Sequence, residues 1–204
     1  MGLISAGTTI FDAGAVNGGG AMTFIKKLTA NDSSTLSFVD GAASVVLDGT
    51  YKEYVFAFTN IHPGTGDSRL NFQGSLDTGS NYNVAITSTN WNCSHEEGGG
   101  NGAITYQASG DLAQGTGFHR VGSLGTGGDN DACGGGFLHL YNPADTATVK
   151  HWQLRFCEHG AEPRAVDGFA AGYFNTTSAI DAIRFQFDNS STIGAGTITL
   201  YGIS

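Results

Sequence analysis

Apolar and polar residues alternate with a period of two along most of the chain, and helical periodicity is almost absent. The clearest run is 148–157, where Trp152, Leu154 and Phe156 interleave with His151, Gln153 and Arg155. The same pattern predicts strands over 22–29, 35–39, 51–61, 69–75, 82–91, 103–107, 118–124, 137–141, 167–175, 180–187 and 197–203. Gly, Asn, Asp and Ser clusters separate them as turns, and proline sets the bend at Asn142-Pro143-Ala-Asp145. In 51–61, Tyr54, Phe56 and Phe58 share a face. In 69–75, Leu70 and Phe72 point inward, with Arg69, Asn71 and Gln73 outward. A single helical turn is expected over 178–182.

Short strands at this spacing predict an all-β fold, an antiparallel, jelly-roll-like β-sandwich over 22–204. The run 197–203 places Ile198 and Leu200 opposite Thr197, Thr199 and Tyr201 and should be locked inside a sheet. Residues 1–21 read differently, as a short extended arm with one strand over 4–11 and a glycine hinge at 17–20. Leu3, Ile4, Ile10 and Phe11 are its candidate anchoring residues, since an arm of this kind can grip a neighbouring subunit by strand addition.

Composition narrows the function classes. The formal charge is −9, with nine scattered Lys and Arg against 18 Asp and Glu. No basic patch is present to meet phosphates, so nucleic acid is excluded as a partner. No apolar run approaches the roughly 20 residues of a bilayer span, and the start lacks a signal-peptide pattern, so no membrane role is expected. Three cysteines, Cys93, Cys133 and Cys157, are read as free thiols.

Catalytic signatures are missing: there is no Gly-x-Ser-x-Gly elbow, phosphate-binding loop or His-Glu-x-x-His. Cys93-Ser-His95 and Cys157-Glu-His159 could each present two soft ligands on one strand face, a zinc reading that needs the two segments side by side. The plainer reading is that both histidines open polar loops. Asp129-Asn-Asp131 resembles a calcium-loop start but lacks the later glutamate. An acid–base pairing of His119 with Asp111 is weaker than a surface histidine. No metal and no cofactor is therefore expected. Trp91, His95, Tyr106 and His119 are the candidate binding residues, read as surface-loop positions, and the 93–136 span is expected to face outward.

Several motifs in order carry a resemblance. Met1-Gly-Leu-Ile-Ser-Ala-Gly-Thr-Thr-Ile-Phe-Asp-Ala-Gly14, Met22-Thr-Phe-Ile-Lys-Lys-Leu28, Leu138-His-Leu-Tyr-Asn-Pro143, Gly172-Tyr-Phe-Asn-Thr-Thr177 and the closing 196–203 run are among them. Together they resemble small virion structural proteins of marine tailed bacteriophages, over nearly the whole chain and least over 91–136. The resemblance implies a non-enzymatic protein displayed on the particle as a capsid decoration or head-fibre component, with a tail-fibre-type adhesin as the alternative. It implies other virion proteins as partners, a homotrimer, a virion location after assembly in the host cytoplasm, and a host-surface glycan as a further ligand. It supplies no catalytic residues.

Overall fold

A computed structural model describes residues 21–100, 102–123 and 125–204, together with the backbone of three strands nearer the start. Those three, β1 (Leu3–Ser5), β2 (Thr8–Asp12) and β3 (Ala15–Val16), pair antiparallel into a sheet of their own. The expected single strand over 4–11 is thus corrected to a hairpin joined by a third strand. The hinge at 17–20 and the side chains of Leu3, Ile4, Ile10 and Phe11 lie outside the described residues.

Everything downstream is a β-sandwich. The chain continues through β4 (Met22–Thr29), β5 (Leu36–Val39), β6 (Glu53–Pro63), β7 (Leu70–Ser75), β8 (Ile86–Glu96), β9 (Ala103–Tyr106), β10 (Ala113–Gly115) and β11 (His119–Arg120). It ends with β12 (Gly134–Tyr141), β13 (Lys150–His159), β14 (Arg164–Phe174), β15 (Ala182–Phe187) and β16 (Ile193–Ile203). The larger sheet runs β10-β8-β14-β13-β12-β6-β16-β4, with β9 also pairing β8; the smaller runs β11-β7-β15-β5. From β4 to β8 successive strands switch sheets, which stitches the two layers together.

The core lies between the sheets and is built from alternate residues of each strand. From β6 come Tyr54, Phe56 and Phe58, from β13 Trp152, Leu154 and Phe156, and from the smaller sheet Leu70, Phe72, Ile183 and Phe185. Their rings meet edge to face: Phe185 lies 5.4 Å from Phe56 and 5.3 Å from Phe58, and Phe72 lies 5.1 Å from Trp152. Such pairs add to what burial already contributes. As its alternation predicts, β16 is fixed on both edges, by β6 and β4, with Ile198 and Leu200 fully buried.

Three sequence readings are corrected. Residues 178–182 form no helical turn; the one short helix among the described residues is a 3-10 turn at Ala108–Gly110. Asn71 and Gln73 are buried: Gln73 Nε2 donates to the carbonyls of Val84, Thr116 and Gly117, which cover it on the outer side of β7, and Asn71 Nδ2 donates to the Arg69 carbonyl. His119 is fully buried and belongs to no surface loop, since β11 pairs with β7 and sets the ring against Phe72 and Trp152.

Candidate binding face

The outer surface of the larger sheet concentrates the exposed chemistry. Strand register across β9, β8, β14, β13 and β12 aligns Tyr106, Trp91, Phe169, Arg155 and Phe137 in one row perpendicular to the strands. Trp91 and Phe169 stack with ring centroids 4.4 Å apart and planes 8° from parallel. The Arg155 guanidinium covers the far side, 4.9 Å from the Phe169 centroid. Arg155 also clamps Asp167, with Nη2 donating to Oδ2 at 2.7 Å and Nε to Oδ1 at 3.1 Å. This clamp holds the Asp167 carboxyl below its ordinary pKa and raises that of Arg155.

One residue pair along each strand, the outward side chains are smaller or polar: Thr89, Ala171, Gln153 and His139. A further pair along stands a second bulky row, Tyr173, His151 and Tyr141. The trough between these rows is lined by two contiguous grooves of about 450 and 480 Å³ that share Thr89, Gln153 and Ala171. His139 Nδ1 lies 2.6 Å from Glu53 Oε1, and the Tyr141 hydroxyl donates to Gln153 Oε1 at 3.1 Å.

On the other side of the Trp91 row the outward positions are Cys93, Asp167, Cys157 and Gly135. They line a third groove of about 700 Å³, which also takes in Cys133, His95 and His159. All three cysteines of the chain thus open onto one hollow, and all three are free thiols. Cys157 Sγ donates to Asp167 Oδ1 at 3.4 Å; burial first, then this carboxylate, raises its pKa and makes it a poor nucleophile. Register explains why the two Cys-x-His segments do not form a zinc site. Strand β14 runs between them, so Cys93 and Cys157 sit on opposite sides of Asp167, about 10 Å apart. Among the described residues no group of three or more His, Cys, Asp or Glu side chains is placed to hold a metal ion.

The four candidate binding residues separate accordingly. Trp91, His95 and Tyr106 are exposed on this face: Trp91 and Tyr106 stand on strands where strands were expected, whereas β8 runs on to Glu96 and so carries His95 on a strand where a loop was expected. Tyr106 donates its hydroxyl to Asp111, which raises its pKa. His119 is elsewhere, in the core, and burial pushes its pKa down to about 4. Sequence alone missed Phe169, Arg155 and Phe137. Each stood at an outward position of an alternating run, but only strand register brings them beside Trp91.

No family model, curated protein or solved structure matches the chain. Among the described residues no helix is long and apolar enough to cross a membrane.

Proposed function

We propose that the chain is a non-enzymatic structural protein of a tailed-phage virion, displayed on the particle as a capsid decoration or head-fibre component. The observation that carries this reading is the placement of exposed apolar residues. Of the seven large hydrophobic side chains exposed among the described residues, six stand on the outer face of the larger sheet. They are Met22, Phe24, Trp91, Ile104, Tyr106 and Phe137; Leu76 is the exception. One sandwich face rich in aromatics, Met and Arg has the composition of a surface made to be covered in an assembly. The resemblance of the ordered motifs to small marine-phage virion proteins is what favours this particular assembly, with other virion proteins as partners and the virion as location.

Mass spectrometry of gradient-purified particles tests this directly. The chain should be present at a fixed stoichiometry to the major capsid or tail subunit and should withstand high-salt washing. A tail-fibre-type adhesin is the second reading, favoured by the exposed Trp91 and Tyr106 rings; glycan-array binding lost in Trp91→Ala would support it over a purely structural role.

A further inference from the structure

We propose that the outer face of the larger sheet binds a second copy of this chain, face to face about a two-fold axis. The inference rests on the reading above that this face is made for assembly, and it names the occupant.

Self-complementary relief is the first argument. Outward residues alternate across the face as bulky and low rows: Cys93–Asp167–Cys157–Gly135 low, Trp91–Phe169–Arg155–Phe137 high, Thr89–Ala171–Gln153–His139 low, Tyr173–His151–Tyr141 high. Rows on one strand pitch are spaced by about 6.7 Å. A two-fold axis lying along the rows, between the Trp91 row and the Ala171 row, exchanges each high row with a low one. The Trp91 ridge of one copy then enters the Ala171 trough of the other. The Tyr173–Tyr141 ridge enters the hollow over Gly135 and the cysteines. Both ridges find a trough at once, and the strands of the two sheets come out aligned, a common way for sheets to pack.

Charge is the second argument. Each chain carries −9, which opposes association. On this face, however, the central carboxylate, Asp167, is neutralised by Arg155, so the middle of the contact brings no unpaired like charges together. Area is the third. From β9 to β4 the face spans seven strand intervals, about 34 Å, and its four rows, each about 6.7 Å deep, cover about 27 Å, or roughly 900 Å². That matches the ~800 Å² per partner of a stable protein interface. Both ridges continue to the same face, so pairing is closed at two copies. This differs from the homotrimer that the family resemblance implies.

Light scattering coupled to size exclusion, on the full chain from about 1 to 100 µM, tests the proposal. The wild type should run as a dimer. Ala171→Arg, which fills the trough at an outward position without touching the core, should shift dissociation at least 100-fold toward monomer, with circular dichroism unchanged. Phe137→Glu, at a separate outward position, should do the same should the first variant misfold, while Leu76→Ala, off the face, should leave the dimer intact. Maleimide labelling of Cys157 should be at least tenfold slower in the wild-type dimer than in either monomeric variant. A wild type that stays monomeric at every concentration, a trimer, or a dimer indifferent to both variants would overturn the proposal. A monomer that nonetheless enters particles would do so while leaving the virion reading standing. A monomer that binds glycan through Trp91 would hand the face to the adhesin reading.

Discussion

The His119 ring sits 4.7 Å from Trp152 across the core, and neither its two nitrogens nor the indole Nε1 meets a protein hydrogen-bond partner. Phe72 closes the other side at 5.6 Å. Burial favours the neutral imidazole and lowers its pKa from 6.5 to about 4. Between these values the unfolded chain takes up a proton that the folded one refuses. Stability is therefore full above pH 6.5 and falls as pH drops toward 4, by ~3 kcal/mol. Chemical denaturation at pH 7.5, 5.5 and 4.5 should show that decline, and His119→Phe should flatten it while costing little at pH 7.5. An unchanged pH profile in the variant would contradict the assignment.

Glu158 is the inward residue at the end of β13 beyond Trp152, Leu154 and Phe156, and it is buried. It accepts the Ser123 backbone N–H at 2.9 Å and the Thr126 hydroxyl at 3.2 Å, fastening these two residues to the sheet. Hydrogen bonds to a buried charge contribute about 1.5–3 kcal/mol. Glu158→Ala should lose at least ~2 kcal/mol in urea unfolding, and limited proteolysis should cut first near residues 122–128.

Close backbone approach makes Gly136 a separate test. A Cβ there would lie 2.1 Å from the Arg155 carbonyl oxygen and 2.8 Å from the Phe156 Cα, both backbone atoms that cannot rotate away. Gly136→Ala should cost ~2 kcal/mol or more, as overpacking does, whereas Gly98→Ala, with open space around it, should stay within about 0.5 kcal/mol. Melting temperatures of the two variants measured side by side decide this.

Removing residues 1–20 should leave the sandwich intact, because β4 begins at Met22 and the Ser204 amide bonds to the Ala21 carbonyl. The truncated chain is expected to melt within a few degrees of the full one but to be lost from purified particles. Undiminished incorporation would remove the anchoring role from this segment.

The strands whose two faces meet different surroundings were legible in the sequence. Strand β13 alternates because one side meets the core and the other water, and β16 because Ile198 and Leu200 face inward while Thr197 and Tyr201 do not. Strand β7 was legible as a strand with Leu70 and Phe72 inward, but the burial of its other side was not, since Gln73 is covered by segments distant in the chain, which no local pattern records. His119 misled for the same reason: two residues of strand leave no period to read, and only pairing with Phe72 buries it. For the candidate face, Trp91 and Tyr106 could be picked as exposed rings near turns. Their neighbours could not, because Phe169, Arg155 and Phe137 come from three further strands whose relative register is a property of the sheet.

Cryo-electron microscopy of the purified particle decides whether the chain is displayed there. Sandwich-shaped density is expected at regular positions on the capsid or tail, with the outer face of the larger sheet covered and the smaller sheet turned away from that contact. Particles that lack the chain, or that carry it with Trp91, Phe137 and Tyr106 open to solvent, would contradict this expectation.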